Sequence, residues 1–328
     1  MAKIHYAGTD YSVHSGASVL ETLEGAGVEI PNACRSGVCQ SCLMQARAGH
    51  VPPVAQAGLK DTLKAQNYFL ACQCRPESDL DVVLAGEVAM GETSVRLAGV
   101  EMLNSSVMRV RVAPESTFPH RSGQFINLVR EDGLRRSYSL AGCASAPGDT
   151  LELHVRHIPG GAMSDWLRSH AVVGESMRIQ GPHGSCFYMP GNPDQPILLI
   201  GTGTGLAPLY GIVCDALASG HSGPIHLYHG ARSKADLYLV DELHALAERY
   251  PNLEYLPCVI EGEVGRACAV GRVDDIGFGA HPALKGWRSY FCGSPELVNR
   301  MRKRAYLAGA GLSDIYVDAF LPAGGAIA

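Results

Sequence analysis

Cys34-Arg35-Ser36-Gly37-Val38-Cys39-Gln40-Ser41-Cys42 decides how the first part of this chain is read. Its cysteines are separated by four and then two residues, the spacing with which a short loop wraps a [2Fe–2S] cluster. Such a cluster needs four thiolates converging on two irons, so a fourth cysteine must arrive from elsewhere. Gly37 permits backbone dihedrals that other residues avoid, and Ser36 and Ser41 are small enough for amide N–H groups to approach the sulfurs. Two candidates for the fourth ligand, Cys72 and Cys74, stand in Leu70-Ala71-Cys72-Gln73-Cys74-Arg75-Pro76. The competing reading is a zinc site made of Cys39, Cys42, Cys72 and Cys74. It leaves Cys34 unused and needs an unusual Cys-x-Cys half.

Composition bounds the rest. At ~150 residues per domain, 328 residues suggest about two domains, with three within range. A hydrophobic content of 46% excludes a disordered or fibrous chain. The net charge of −5 argues against nucleic acid as a partner. Eleven cysteines, an odd number in a long chain, do not form the disulfide framework of a small secreted domain. The amino terminus shows no apolar leader, and runs such as Ile197–Ile200 are too short to cross a bilayer. The expectation is a soluble cytoplasmic protein, not on a membrane, with its cysteines kept as thiols or metal ligands. Cys143, Cys186, Cys214, Cys258 and Cys268 are scattered singly, as small buried hydrophobes are.

Around the cysteine loop, Ile4–Tyr6 and Tyr11–His14 read as a hairpin through Gly8-Thr9-Asp10. Ser18-Val19-Leu20-Glu21 is a capping box for a short helix ended by Gly25 or Gly27, and Asp81–Leu84 is a closing strand. The segment Leu70 to Asp79 resembles the closing segment of plant-type ferredoxins, in which the ligand stands four positions before the proline. That resemblance implies Cys72, giving the set Cys34, Cys39, Cys42 and Cys72, and a β-grasp fold.

After a small, polar linker at 85–92, the strand-like runs Val107–Val112, Gln124–Val129 and Leu151–Arg156 are separated by Ala113-Pro114, Asp132-Gly133 and Pro147-Gly148-Asp149, which suggests an antiparallel barrel. Arg136-Ser137-Tyr138-Ser139 combines a fork for a pyrophosphate oxygen, an aromatic for a flat ring and a hydroxyl for its edge. In His154-Val155-Arg156-His157-Ile158-Pro159-Gly160-Gly161-Ala162-Met163-Ser164, Gly161 lets backbone approach phosphate, and a helix starting near Met163 aims N–H groups at it. Ordinary barrel turns with a surface arginine are the plainer alternative. In order, however, the motifs resemble the two flavin segments of the ferredoxin–NADP reductase superfamily, with Gly123-Gln124-Phe125 and Gly181-Pro182-His183-Gly184 as its structural turns. The resemblance implies FAD rather than FMN, held by Arg136, Ser137, Tyr138, Ser139, His154, Val155, Arg156, Gly160, Gly161, Ala162, Met163 and Ser164.

From Pro196 onward apolar strands alternate with amphipathic helices, the pattern of a parallel α/β sheet. The strand Ile197–Ile200 runs into Gly201-Thr202-Gly203-Thr204-Gly205-Leu206-Ala207-Pro208 and a helix through Leu217, a phosphate cradle with leucine where a dinucleotide fingerprint wants its last glycine. This turn resembles the nicotinamide-binding turn of the same superfamily and implies Gly203, Thr204 and Gly205 as contacts. Arg232 and Lys234 either meet an adenosine 2′-phosphate or are simply solvated. Tyr290-Phe291-Cys292-Gly293-Ser294-Pro295 reads as a strand ending at a serine cap and a proline-opened helix. The resemblance puts Cys292 near nicotinamide and flavin, Ser139 near the flavin ring edge, and Phe320 of Tyr316–Phe320 on the flavin face. A core cysteine and a core phenylalanine are the alternatives.

The order of modules covers essentially the whole chain and resembles the NADH-dependent reductase components of bacterial aromatic-ring-hydroxylating dioxygenases. This implies a multidomain α+β and α/β protein: a plant-type ferredoxin at 1–88, an antiparallel β-barrel flavin domain at 92–192 and a parallel α/β nicotinamide domain at 193–328. It implies a monomer that takes hydride from NADH, or NADPH, onto FAD and passes single electrons through a [2Fe–2S] cluster to a ferredoxin or terminal oxygenase component. Alternatives keep the relay and change the acceptor to a diiron monooxygenase or a deoxysugar dehydratase. A binding protein with structural zinc belongs to another class.

Overall fold

The computed structural model describes residues 2–86, 91–142, 150–262 and 267–320. It divides into two compact units, Met1–Met90 and Gly91–Ala328. The expected turn at Pro147-Gly148-Asp149, Cys143 and part of the expected linker lie outside the described residues.

In the first unit, β1 (Lys3–Tyr6) and β2 (Thr9–Ser12) form the expected hairpin, turning through the left-handed Ala7 and Gly8. The capping box opens α1 (Val19–Gly25): Ser18 Oγ accepts from Glu21 N at 3.2 Å, and Glu21 Oε2 accepts from Ser18 N at 2.8 Å. Then come β3 (Leu43–Ala48), the single turn α2 (Asp61–Lys64), β4 (Tyr68–Leu70) and β5 (Leu80–Leu84). The sheet order is β2-β1-β5-β3-β4, with β1 and β5 parallel and the other pairs antiparallel. It clasps α1, whose Val19, Leu20 and Leu23 pack with Ile4, Met44, Phe69 and Val82.

The second unit begins with six antiparallel strands: β6 (Thr93–Met102), β7 (Val107–Pro114), β8 (Phe125–Val129), β9 (Arg135–Ser139), β10 (Leu151–Arg156) and, after α3 (Ala162–Ser169), β11 (Ser176–His183). Their order is β10-β7-β6-β11-β8-β9, and a bridge between Leu140 and Leu153 draws the open edges together into a barrel-like sheet. Sequence reading missed β6 and β11. The segment Gly181-Pro182-His183 is the end of β11 rather than a free turn, entered through a register shift after Gln180. The pleat divides β7 and β10 cleanly. Met108, Val110, Leu153 and Val155 enter the barrel core, so Arg109, Glu152 and His154 point out of it.

The remainder is an all-parallel sheet: β12 (Ile197–Thr202), α4 (Leu206–Ala218), β13 (Ile225–Ala231), α5 (Val240–Arg249), β14 (Leu253–Val259), β15 (Ala269–Val270), α6 (Val273–Ala280), β16 (Arg288–Gly293), α7 (Pro295–Leu307) and β17 (Ile315–Ala319). The order β15-β14-β13-β12-β16-β17 reverses direction between β12 and β16, and open parallel sheets bind ligands beyond the strand ends at such a switch. Both faces are covered. Ile197, Leu199, Tyr290 and Tyr316 pack under α4, whereas Leu198, Ile200, Phe291 and Ile315 pack under α6 and α7. Each such buried leucine or isoleucine contributes roughly 1.5–3 kcal/mol. Among the described residues no helix is long and apolar enough to cross a membrane.

Candidate functional site

The cysteine loop is shaped by backbone. Arg35, Gly37 and Gln40 all have φ in the left-handed region, at 53°, 83° and 59°. The turns aim amides at sulfur: Ser36 N and Cys39 N donate to Cys34 Sγ at 3.4 and 3.3 Å, and Cys34 N donates to Cys39 Sγ at 3.5 Å. Glu24 holds the Arg35 guanidinium with both oxygens, at 2.8 and 2.9 Å, and Gln73 Nε2 donates to Arg35 O at 3.1 Å. The Ser36 hydroxyl, followed by the Cys39 amide, pulls the Cys34 thiol down to about 5. The Ser41 hydroxyl and the Cys34 amide lower Cys39 likewise. Burial instead pushes Cys42 up to about 11.

These thiols come as two pairs. Cys34 and Cys39 are exposed and share amide donors; Cys42 and Cys72 are buried, with their thiols in contact. Two irons with two protein sulfurs each fit this arrangement. A single zinc ion would instead need all four thiols around one centre, whereas here they divide into an exposed pair and a buried pair. Cys74 is wholly buried in the apolar core of the unit, where burial pushes its thiol up to about 12.

In the second unit, Arg156 and Phe320 of the residues expected at flavin and Gly203, Thr204 and Arg232 of those expected at the nucleotide line one crevice of about 1060 Å³. Its floor is formed by the ends of β12, β13 and β14 and the starts of α6 and α7; Ser106, Arg156 and Ile158 of the barrel half form the facing wall, and Phe320 stands at the edge. Gly203 has φ 53° and leaves the turn after β12 open, with Arg156 Nη1 3.9 Å from where a Cβ would stand. Gly205 does a different job from the one expected. A Cβ there would lie 2.5 Å from the Cys292 carbonyl oxygen, so the glycine permits packing on β16 and its missing side chain faces no ligand. Arg232 is exposed at the crevice rim with Nε 2.7 Å from Glu261 Oε1; Lys234 is exposed beside it. Arg272 and Arg300 are paired with Asp274 at 3.4 and 2.7 Å, whereas Arg156 has no ion-pair partner among the described residues.

The end of β9 brings Ser139 to the end of β17, where its Oγ is 3.2 Å from Asp318 Oδ2. Asp318 lies opposite Cys292 in the strand register. Burial pushes its carboxyl up to about 6 against the lowering effect of the Ser139 bond. Cys292 is completely buried, and that burial, followed by the neighbouring Cys186 thiol, raises its pKa. Phe320 follows directly, its N–H donating to Gly293 O at 2.8 Å. Asp318 was missed by sequence reading. The available signal was a lone acid on the same face as Tyr316 in an otherwise apolar closing strand.

Several flavin-segment residues take other roles. The His154 side chain is fully buried outside the barrel, with Nε2 3.1 Å from Glu152 Oε1 and Nδ1 3.3 Å from the Tyr238 hydroxyl, so neither ring nitrogen is left for a cofactor. Val155 and Met163 are barrel core, and Ser164 Oγ is tied to the 158–161 turn. What remains at 160–164 for phosphate is backbone. Gly161 stands where a Cβ would be 2.6 Å from Ser164 Oγ, at the start of α3, whose first amides have no partner within the helix. Arg136 and Tyr138 are half-buried on β9 and Ser137 is exposed, and burial pushes the Tyr138 phenol up to about 12. Arg136 spends one nitrogen on its neighbour's carbonyl, at 2.7 Å from Arg135 O, leaving the rest of its fork for a cofactor phosphate.

A two-iron cysteine loop, a barrel with a glycine-opened phosphate turn, and a parallel sheet with a dinucleotide crevice define an iron–sulfur flavoprotein oxidoreductase. Comparison with known families agrees module by module. Residues 4–77 match the 2Fe-2S iron-sulfur cluster binding domain, 94–188 the oxidoreductase FAD-binding domain and 199–303 the oxidoreductase NAD-binding domain. The reductase component of the naphthalene 1,2-dioxygenase/salicylate 5-hydroxylase systems of a Ralstonia species is 34% identical over 95% of this chain and 96% of its own length. The corresponding naphthalene dioxygenase component of Pseudomonas putida is 33% identical over 94% and 95%. A crystal structure of an Amycolatopsis cytochrome P450 reductase, 31% identical, superposes with a TM-score of 0.68 over 99% of this chain and all of that one. The chain therefore belongs to the family of electron-transferring reductase components of oxygenase systems, which use a [2Fe–2S] cluster, FAD and NAD(P)H.

Proposed function

We propose that this chain takes hydride from NAD(P)H in the crevice above β12 and β16 and delivers single electrons, by way of its cluster, to a ferredoxin or terminal oxygenase of an aromatic-ring-hydroxylating dioxygenase system. FAD, when bound, supplies the conversion of a two-electron hydride into one-electron transfers. The observation that carries the reading is the meeting of Ser139, Asp318 and Cys292 beside Phe320 at the crevice edge. Ser139 and Asp318 hold a hydroxyl and a titratable carboxyl at the reacting end. Arg156, with the Gly203–Thr204 turn, orients the nucleotide's pyrophosphate. Phe320, at the crevice edge, would cover a bound flavin and keep water from it. The 160–164 turn and Arg136 receive the phosphates of FAD.

Cys34, Cys39, Cys42 and Cys72 hold the cluster, supported by their pairing and by the amides around Cys34. The modules run 1–88, 92–192 and 193–328. The protein works as a monomer in the cytoplasm, where a reducing environment keeps its ten described cysteines free. The experiment is reconstitution: NADH-driven turnover with purified ferredoxins and terminal oxygenases of ring-hydroxylating systems, run beside a P450 and a diiron hydroxylase. Turnover with a ring-hydroxylating partner is expected. Turnover with only one of the other two acceptors overturns the assignment of the partner.

A further inference from the structure

The crevice has a wall that no cofactor-binding residue explains. It lies where the outer face of β7 and β10 meets the segment from Ser233 to Glu242 of the nicotinamide half. Hydrogen bonds from three side chains cross it. Asn104 Nδ2 donates to the carbonyls of Asp236 and Leu237 at 3.1 and 3.2 Å, while its Oδ1 accepts from the amides of Ser106 and Val107. The Tyr238 hydroxyl meets His154 Nδ1 at 3.3 Å. The Arg109 guanidinium grips both oxygens of Glu242, at 2.9 and 2.8 Å.

Arg109 is the unusual member. Its side chain is only 9% exposed, and it faces three carboxylates: Glu242, Glu152 at 3.2 Å and Glu101 at 3.4 Å. One buried cation therefore holds together acids from both halves of the unit. The half-exposed Arg111 also pairs with Glu152 and Glu101 on the barrel side, at 3.4 and 3.8 Å, whereas among the described residues the ion pairs of Glu242 run to Arg109 alone. The grasped segment is itself strained. Leu239, just before α5, is left-handed at φ 56°, a conformation that a branched side chain keeps only where its surroundings impose it. The two sides of the join continue directly into the crevice walls, Ser106 and Val107 from the barrel and Asp236 from the nicotinamide half.

We propose that Arg109, with Asn104 and the 233–242 segment, is a clasp that sets the width of the nicotinamide crevice, making Arg109 and Glu242 positioning residues for hydride transfer. The inference rests on the reading of the crevice as the NAD(P)H site. The side chains of Arg109, Asn104 and Glu242 do not themselves line the crevice, so loosening them leaves the nucleotide's direct contacts in place and lengthens the approach of nicotinamide to flavin. Misplacement by about an ångström is enough to cost on the order of 100-fold in rate.

The test uses the FAD-loaded full chain with Glu242→Gln, Asn104→Ala and Arg109→Met. Glu242 is half exposed and Asn104 sits at a turn, so their variants keep the question open to measurement if Arg109→Met does not fold. For each, FAD content, binding of ADP-ribose by calorimetry and the limiting rate of anaerobic flavin bleaching by NADH are compared with the unaltered protein. The expected result is a limiting rate lowered roughly tenfold or more, with ADP-ribose affinity and FAD content unchanged. An unaltered limiting rate in both Glu242→Gln and Asn104→Ala overturns the proposal. A loss that merely tracks lost FAD also overturns it and makes the network a fold-stabilising one. Failure of the unaltered protein to be bleached by NADH contradicts instead the reading of the crevice itself.

Discussion

The two redox sites of this chain are built by opposite means. The cysteine loop places three of the four proposed cluster cysteines within nine consecutive residues and is shaped by backbone, with left-handed turns at Arg35, Gly37 and Gln40 bringing amides onto sulfur. The junction at the crevice edge takes one side chain each from β9, β16 and β17, and it exists only because a barrel and a parallel sheet pack so that Ser139 reaches Asp318. A site of the first kind depends on covalent spacing and tolerates little change in ligand identity. A site of the second kind depends on packing, and its chemistry is set by how dry the packing leaves it.

The largest effect tests the first kind. Cys72→Ser should abolish the visible absorbance of the cluster, whereas Cys74→Ser should retain it and cost only stability, because Cys74 is core. The opposite pattern breaks the account of the loop.

Next comes the buried acid of the second site. Asp318→Asn should slow flavin bleaching by NADH by about 100-fold, the low end of the range for a group that assists proton movement. The pH dependence is specific. Burial lifts the carboxyl from an ordinary 3.8 to about 6, so the folded state holds its proton more tightly than the unfolded chain. Stability from this group is therefore full below pH 3.8 and falls as pH rises towards 6, by up to ~3 kcal/mol in all. Melting curves should show Asp318→Asn gaining on the unaltered protein across that window. Parallel curves would remove the dry environment from the argument.

Gly205→Ala tests packing without chemistry. The added Cβ would meet the Cys292 carbonyl at 2.5 Å, so a loss of about 1–3 kcal/mol in unfolding free energy is expected, with the cluster spectrum unchanged. The smallest effect is at the rim. Glu261→Gln frees Arg232, and the NADPH-to-NADH ratio of kcat/KM should rise by roughly two- to fivefold, as fits an exposed ion pair worth ~1 kcal/mol or less. An unchanged ratio makes Arg232 a solvated surface arginine.

Legibility follows the same division. The hairpin, the capping box at Ser18, the cysteine loop and the strand–turn–helix at Ile197–Ala218 are local, and short-range rules find them. The strands β6 and β11 escaped because their apolar alternation is broken, by the register shift between Leu97 and Gly99 in one and by Gly181-Pro182 in the other, and only pairing across the sheet makes them strands. His154 misled for a related reason. It stands in a flavin-like motif, but the pleat of β10 turns its ring outward against Tyr238. Asp318 stands out in the sequence only as a lone acid in an apolar strand, and nothing beside it foretells Ser139, 179 positions away.

The central claim is that both sites serve one relay, with hydride entering at the crevice and electrons leaving through the cysteine loop. An anaerobic titration of the purified holoprotein with NADH, followed by absorbance and by electron paramagnetic resonance, tests it most directly. The account predicts that flavin and cluster bleach together and that the reduced cluster signal appears without any added mediator. Full flavin bleaching with a cluster that stays oxidised would contradict it.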